Sequence, residues 1–348
     1  MTKTFKNMLI PFCFAIAMVC IPGCLVSFGI IDAYTAQIIS LGGINAIMAI
    51  SVNIIVGITG QLSLGQAGFM AIGAYACIIL AETCGIPLPV SIVLAGFAAA
   101  VFGFFIGYPT LQLSGDYLAI VTLGFGEIIR VLLVNFKDIT GGANGKKCTT
   151  TGAVLMSAYP GLAYFVIIGS LALIIVLWRN FQRSTYGRAI LAVREDEIAA
   201  NSSGIGVFRY KMVGFIIASF VAGIGGALYA PFIGFIKPEM AGWQNSIDQL
   251  IYVVLGGMGS ITGSVLSAFV LTYLQELLRF LKDFRMVIYP LILILVMLFR
   301  PQGLLGEREL SFVKLWNGIP RFFKNISLCI KNLFSKNPNM KKGGNDDV

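Results

Sequence analysis

The apolar residues of this chain fall into long runs separated by short polar stretches. A run of about 20 apolar residues has the length of one bilayer crossing as a helix. The first run follows Lys3 and Lys6, as the core of a signal peptide would. Its length and the lack of a cleavage signal around Pro22 and Gly23 favour an uncleaved helix. The runs predict membrane-spanning helices over 8–31, 36–57, 66–82, 88–108, 117–135, 161–178, 212–235, 247–280 and 286–299.

Residues 179–211, which we call the insert, interrupt this pattern with the polar sequence RNFQRSTYGRAILAVREDEIAANSSGIGVFRYK. Good helix formers run from Arg188 to Ser203, and Gly204 follows as a helix stop. The helical core, 187–203, is too short to cross a bilayer, so we interpret it as a docking helix exposed to the cytoplasm. An ordinary solvated loop is the alternative. The expected apolar stripe of this helix is Ile190, Leu191, Val193 and Ile198.

Lysine and arginine predict the orientation, because they are enriched in cytoplasmic flanks. By this rule the N-terminus, the insert and the tail after Arg300 are cytoplasmic. Six crossings before the insert satisfy the rule, but three after it do not. We therefore expect the 247–280 run to break at Gly256-Gly257-Met258-Gly259-Ser260, which gives about ten crossings. Two groups of basic residues then disagree with the rule by lying outside: Lys137, Lys146 and Lys147, and Arg279, Lys282 and Arg285.

Composition agrees with an all-α polytopic bundle of about 8–10 membrane segments, some short or broken. The chain is 57% hydrophobic and 12% charged, whereas a soluble domain is about 25% charged. The net charge of +9 lies at the ends of apolar runs, in the insert and in the tail, where lipid headgroups attract it, so nucleic-acid binding is disfavoured. We divide the chain into a transmembrane domain, 1–306, which contains the insert, and a basic tail, 307–348, with a surface helix over 311–335 and a disordered end over 337–348.

Candidate chemistry is sparse. The chain has no histidine, which removes the commonest metal ligand and general base. Its seven cysteines form no CxxC pair. We therefore expect no metal site, no catalytic residue and no cofactor held by this chain.

Forty glycines are the second compositional signal. Gly103–Gly107 and Gly259–Gly263 match the GxxxG pattern of closely packed membrane helices. The cluster over 60–68 has two interpretations: tight packing, or a discontinuous segment that exposes backbone groups to a substrate. Under the second interpretation, the candidate path residues are Gln61, Ser63, Gln66 and Thr122.

Two acidic residues lie near the 117–135 run. Carboxylates inside a membrane are expensive and often functional. The alternative for Glu127 is a structural pair with Arg130, three residues along one helix face. The alternative for Asp116, after Gly115, is to cap the following helix.

Five blocks in order resemble the permeases of branched-chain amino acid (LIV-type) ABC importers. They are GQLSLG at 60–65, GDYLAIVTLGFGE at 115–127, TGGANG at 140–145, REDEIAA at 194–200 and RPQGLLG at 300–306. The fourth block, with Gly204 and Ile205, looks like the EAA coupling loop of ABC importer permeases. Departures are Gln66, where the family often has His, and Ala143, where Pro is common.

The resemblance implies a multi-pass protein of a prokaryotic plasma membrane that works beside a second related permease, two cytoplasmic ATPases and an external substrate-binding protein. ATP and Mg²⁺ would bind the ATPases, since this chain has no GxxxxGK[ST] motif. The residues that the resemblance and the insert favour for coupling to the ATPases are Arg188, Arg194, Glu197, Ala199, Ala200 and Gly204.

Other functions remain open. The same class of permease can carry urea, another amino acid or a sugar. An ion-coupled secondary transporter would need carboxylates buried in the membrane, of which few are available, and gives the insert no role. A membrane enzyme is disfavoured because no nucleophile–base pair or metal cluster is visible.

Overall fold

The computed structural model describes residues 32–113, 115–149, 156, 159–300, 303, 304 and 306. The first predicted crossing, 8–31, and the predicted tail segments, 311–335 and 337–348, lie outside these residues. The described part is almost entirely helical. Its twelve helices are α1 Ala33–Asn53, α2 Gln66–Glu82, α3 Leu88–Thr110, α4 Asp116–Asn135, α5 Lys137–Thr140, α6 Pro160–Gln182, α7 Thr185–Glu195, α8 Glu197–Ser202, α9 Val207–Ile233, α10 Trp243–Gly256, α11 Ile261–Leu277 and α12 Arg285–Phe299.

The helices confirm the all-α class and match the predicted spans to within about five residues at their ends. Six of them are long and apolar enough to cross a membrane, and α2 and α12 are shorter apolar helices. The predicted 247–280 span is divided into α10 and α11, and the division lies at the expected glycines. Gly257 and Gly259 have positive φ in this turn, a conformation that glycine adopts without strain.

Helices α1 and α9 form the centre of the bundle. In the most apolar stretch of 18 residues, 83% of the residues of α1 are buried, compared with 28% of those of α4. Helix α9 packs against α1, α2 and α3, and α1 packs against α6 and α11. The outward faces of α3, α4 and α12 carry exposed aromatic and aliphatic side chains, as helices facing lipid do.

Contacts along the helices fix their relative directions. Asn53 of α1 contacts Ser260 at the start of α11, and Asn45 contacts Thr272 further along, so α1 and α11 are antiparallel. Helices α3 and α9 are antiparallel for the same reason, since Gly107 lies beside Met212 and Gly96 beside Ile224. The ends of α1 and α3 and the start of α11 therefore lie at the same end of the bundle as the insert, which we call the insert side.

Small residues let α9 approach its neighbours closely. A methyl group on Gly226 would lie 1.8 Å from the Met70 carbonyl oxygen of α2, and one on Gly73 would lie 2.1 Å from the Gly223 oxygen. These contacts confirm tight helix packing by glycine. Gly103 and Gly107 also face α9, as their spacing predicts.

The GxxxG interpretation of Gly259–Gly263 is wrong in its helical part. Gly259 lies in the turn before α11 with φ +90°, and Gly263 alone is in the helix, where it packs against Gly256. The contact between Gly256 and Gly263 lets α10 and α11 pack side by side as a helical hairpin within the chain.

The basic residues that disagree with the charge rule lie on the side opposite the insert. There, strand β1 (Lys146–Lys147) pairs antiparallel with β2 (Phe235–Ile236), which follows the end of α9. Lys146 Nζ lies 3.5 Å from Glu82 Oε2, and Arg279 Nη1 lies 2.9 Å from Glu276 Oε1. Two of these six charges, on Lys146 and Arg279, are therefore paired with carboxylates of the chain.

Candidate functional site

The first part of the candidate site is a break in the helical backbone between α1 and α2. Helix α1 ends in a π-turn, Ile54–Ile58, and residues 59–65 are not helical before α2 begins at Gln66. Gly60 has φ +71°. The Leu64 amide donates to Thr122 Oγ1 of α4 at 3.0 Å, so a side chain satisfies backbone that no helix satisfies here. The backbone is thus discontinuous at this glycine cluster, as one of the two interpretations expected, and its exposure to a substrate stays a prediction.

The second part is the break between α10 and α11. Gly257 has φ +108° and Gly259 φ +90°, so the chain reverses over three residues. Ser260 then caps α11 by accepting from the Gly263 amide at 3.1 Å. Leu304, from the last block of the resemblance, donates its amide to the Leu255 oxygen at 2.7 Å and brings the chain after α12 against this turn.

Asn53 joins the two breaks. It is fully buried at the end of α1. Its Oδ1 accepts from the Gly259 amide at 2.9 Å, and its Nδ2 donates to the Ser260 oxygen at 2.9 Å and to Ser264 Oγ at 2.8 Å. The Asn53 side chain belongs to the helix before the first break, and its hydrogen bonds satisfy backbone groups of the second break.

Arg194 of the insert lies against both breaks. A methyl group on Gly60 would lie 3.2 Å from Arg194 Cγ, and one on Gly259 would lie 3.0 Å from Arg194 Nη1. Both glycines have positive φ, and because they have no side chain, the Arg194 side chain can pack directly on their backbone. This places the end of α7 next to the two points where the helices are interrupted.

The insert itself is two helices and not the single helix that the sequence predicts. Asp196 has φ −155° and ψ 111°, which ends α7, and its Oδ1 accepts from the amides of Ile198 and Ala199 at 2.8 and 3.0 Å, which begins α8. An aspartate in this position competes for the backbone and acts as an N-cap. The predicted stop at Gly204 is confirmed: φ is +80°, and the Ile205 amide returns to the Ala200 oxygen at 3.0 Å.

The break at Asp196 also changes the predicted apolar stripe. Ile190 and Val193 are buried and Leu191 is half-buried, as predicted, whereas Ile198 lies on α8 and is 81% exposed. The prediction was wrong for Ile198 because it assumed one continuous helical face.

The remaining coupling candidates lie in different surroundings. Arg188, Ala199 and Gly204 are exposed, but Ala200 is buried against the chain and cannot offer a surface to a partner. Glu197 pairs with Lys211, a buried lysine near the start of α9. The insert therefore contacts α9 through the ion pair of Glu197, and it contacts both breaks through Arg194.

The four path candidates are buried around the first break. Thr122 holds the break, since its Oγ1 accepts from Leu64 and donates to the Ala119 oxygen at 3.0 Å. Gln61, Ser63 and Gln66 are each at most 4% exposed. One end of each glutamine amide contacts a hydroxyl, Thr59 Oγ1 at 3.3 Å and Ser51 Oγ at 2.9 Å.

The other ends of these two amides have no hydrogen-bond partner among the residues that the structure describes, and neither does Ser63 Oγ. Gln249 of α10 also has a buried unpartnered amide end. Leaving a buried polar group unpaired costs about 1–3 kcal/mol. Four buried polar groups without a hydrogen-bond partner among the described residues therefore lie near one interruption of the backbone, where they could bind a polar ligand.

Of the two carboxylates near α4, Glu127 has a structural role. Glu127 Oε2 accepts from Arg130 Nε at 2.6 Å, which confirms the pair, and Oε1 accepts from the Trp243 amide at 3.2 Å, at the start of α10. The prediction that Asp116 caps α4 is wrong. Gly115, at φ 61°, occupies the cap position, and Asp116 is the first helical residue without a side-chain cap bond.

Asn53 and Lys211 were not singled out from the sequence. Asn53 lies at the end of an otherwise apolar run, and Lys211 directly precedes one. A polar residue at the boundary of a membrane span is a signal that would have found both.

Four of the five sequence blocks meet at the two breaks, and the fifth, 140–145, lies on the opposite side beside β1. A multi-pass bundle with interrupted helices at its centre is the architecture of a membrane transport component. The chain matches the family described as the branched-chain amino acid transport system permease component over residues 34–299. The chain belongs to this family.

Individual relatives agree. The chain is 38% identical to the high-affinity branched-chain amino acid transport system permease protein LivM of Escherichia coli over 84% of its length and 74% of that protein. It is 25% identical to LivH of Salmonella typhimurium over 79% of its length and 95% of that protein. It is 24% identical to a probable LivM of Methanocaldococcus jannaschii over 63% and 69%. No solved structure matches the chain.

Proposed function

We propose that the chain is one permease half of an ATP-driven importer that carries branched-chain amino acids across a prokaryotic plasma membrane. Its relatives are named for branched-chain amino acid transport. The two names, LivM and LivH, belong to permeases that resemble the same chain, which supports a pair of related permeases as the working unit.

The insert is the proposed contact with the ATPases. Ile198, 81% exposed, and Ala199 project from α8 next to charged residues, and an exposed large apolar side chain on a polar insert suits a partner surface. Closure of the ATPases on ATP would press on α8, and the ion pair between Glu197 and Lys211 would pass that movement to α9. The insert side is then cytoplasmic, as are both termini of the chain.

The single observation that carries this proposal is the position of Arg194 against both Gly60 and Gly259. A side chain that fills the space over two helix breaks couples any displacement of α7 to both of them at once. The breaks would open and close the path, and the energy would come from ATP and Mg²⁺ on the partner ATPases. A substrate-binding protein would deliver the amino acid on the opposite side. Lipid surrounds the outer helices, and nucleic acid and a cofactor of this chain have no part.

The test is reconstitution of the chain with its partner permease, ATPases and binding protein in liposomes, with radiolabelled leucine on the side of the binding protein. ATP-dependent leucine uptake that isoleucine and valine suppress is the expected result. ATP hydrolysis stimulated by the binding protein without leucine uptake would keep the importer and overturn the cargo. Uptake driven by an ion gradient without ATP would overturn the class.

Matched variants test the role of the insert. Ala199→Trp places a large side chain on the exposed face of α8 and is expected to abolish ATP-driven uptake while the complex still inserts in the membrane. Tyr186, exposed on α7 of the same insert, gives the control, since Tyr186→Trp adds bulk away from α8. Equal uptake by wild type and the Ala199 variant would contradict docking at α8.

A further inference from the structure

The unpartnered amides around the first break share one chemical character, which follows from counting hydrogens. Ser51 Oγ lies 2.8 Å from the Ala218 carbonyl oxygen and 2.9 Å from the Gln66 amide. A hydroxyl has one hydrogen to give, and a carbonyl can only accept it. The hydrogen therefore goes to Ala218, and Gln66 must donate to Ser51 through its NH₂ group. With Oε1 placed toward Ser51, one of the two oxygen–oxygen contacts of Ser51 would have no hydrogen, so we assign the amide in the reverse orientation, which leaves the carbonyl oxygen of Gln66 as the unpartnered end.

The same count holds for Gln61. Thr59 Oγ1 lies 2.7 Å from the Ile55 carbonyl oxygen, which takes its hydrogen, and 3.3 Å from the Gln61 amide. Gln61 must then donate to Thr59 and is left with its carbonyl oxygen. In Gln249 the NH₂ group faces the sulfur of Met70 at 3.6 Å, so its carbonyl oxygen is the free end there too.

The three amides follow one another through the bundle. Thr59, which holds Gln61, lies against Gly214 of α9, and Ser51, which holds Gln66, bonds to Ala218 of the same helix. Gly214 and Ala218 are four residues apart, which is a rise of about 6 Å. Gln66 and Met70, the contact of Gln249, are also four residues apart, on α2. The contacts that hold the three amides thus lie about one helical turn apart, starting from the insert side.

We propose that the carbonyl oxygens of Gln61, Gln66 and Gln249 are successive acceptor sites for the ammonium group of the transported amino acid. This deepens the proposed function and rests on it. An ammonium group brings only donors, and a carboxylate brings only acceptors, so a row of acceptors selects the ammonium end of a zwitterion. The carbonyl oxygens of the amides accept hydrogen bonds from an ammonium group in place of the water that hydrates it.

The sign of the charge at Gln66 tests the proposal in the assembled importer. Gln66→Glu keeps an acceptor of the same shape and adds negative charge, and Gln66→Lys replaces the acceptor with a donor and a positive charge. We expect the Glu variant to retain ATP-driven leucine uptake, and we expect the uptake rate of the Lys variant to fall at least tenfold. The same changes at Gln112, an exposed glutamine after α3, are the matched controls and should leave uptake unchanged. In variants that assemble, uptake retained by the Lys variant and lost by the Glu variant, or equal in both, would overturn the assignment.

A second measurement decides the case in which both variants fail to assemble. The purified wild-type complex is heated with isopentylamine, which has the ammonium but no carboxylate, or with 4-methylpentanoate, which has the reverse. A ligand that binds the folded state raises Tm, so we expect isopentylamine to raise it and 4-methylpentanoate to leave it unchanged. Stabilisation by the carboxylate alone, or by sodium chloride as strongly as by the amine, would overturn the ammonium site. Stabilisation by the amine with no leucine uptake by wild type would instead overturn the cargo.

Discussion

Replacing Asn53 with alanine is expected to separate the two helix breaks and to destabilise the chain by about 3 kcal/mol. The substitution removes three hydrogen bonds from the end of α1, two to the turn that precedes α11 and one to Ser264 in its first turn. Bonds of this kind between membrane helices average about 0.6 kcal/mol, so three contribute about 2 kcal/mol. The Ser260 oxygen keeps its bond from Ser264 Oγ at 3.0 Å, but the Gly259 amide is left without its acceptor in a half-buried turn. An unsatisfied buried amide adds about 1 kcal/mol.

Asn45 provides a matched control. It lies two turns earlier on the same helix and donates one hydrogen bond to Thr272 of α11, at 2.9 Å. Asn45→Ala removes the same side-chain atoms from the same helix pair, so it is expected to cost about 0.6 kcal/mol. The free energy of unfolding of both variants can be measured by titrating the purified chain from mild detergent into SDS. Equal destabilisation by the two substitutions would refute the view that Asn53 holds the breaks together.

Three further outcomes follow from the same contacts. Arg194→Ala should leave basal ATP hydrolysis of the assembled importer intact and lower leucine uptake per ATP at least tenfold; an unchanged ratio of uptake to hydrolysis would remove Arg194 from coupling. Gly226→Ala should destabilise the chain by about 1–3 kcal/mol because its methyl group meets the α2 backbone, whereas Gly124→Ala, in open space on α4, should gain roughly 0.5–1 kcal/mol; comparable unfolding free energies would contradict the close approach of α9 and α2. Glu197→Ala should lower thermal stability more than Lys211→Met, because it strands a buried charge that the second substitution removes; the reverse order of Tm values would contradict that pairing.

The spans were predictable from the sequence because each depends on residues adjacent along the chain. A long apolar run has few alternatives to a membrane helix. The break before α11 was also predictable, since Gly256 and Gly257 weaken the helix and the charge rule required a reversal. Asp196 carried a local signal too, but good helix formers on both sides of it favoured one continuous helix over the observed pair.

The assembly of the site was not predictable in the same way. Arg194 lies 134 positions after Gly60 and 65 before Gly259, and a single sequence carries no signal that pairs residues so far apart. The path candidates Gln61 and Gln66 were found from the polar composition of one segment. Which end of each amide is free depends on hydroxyl and carbonyl groups brought by folding, so the character of the path required the structure.

The π-turn at the end of α1 absorbs one residue of chain length. Hydrogen bonds in a π-turn reach five residues back instead of four, so the turn holds one residue more than an α-helix of equal length. Deleting one residue from Ile54–Ile58 would let this turn become α-helical, and the chain that follows, including Gln61, would keep its position. Deleting one residue from the regular part of α1 would instead rotate the following chain by about 100° and carry Gln61 away from α9. The same change in chain length therefore leaves the break in place or rotates it, depending on which side of Ile54 the residue is removed.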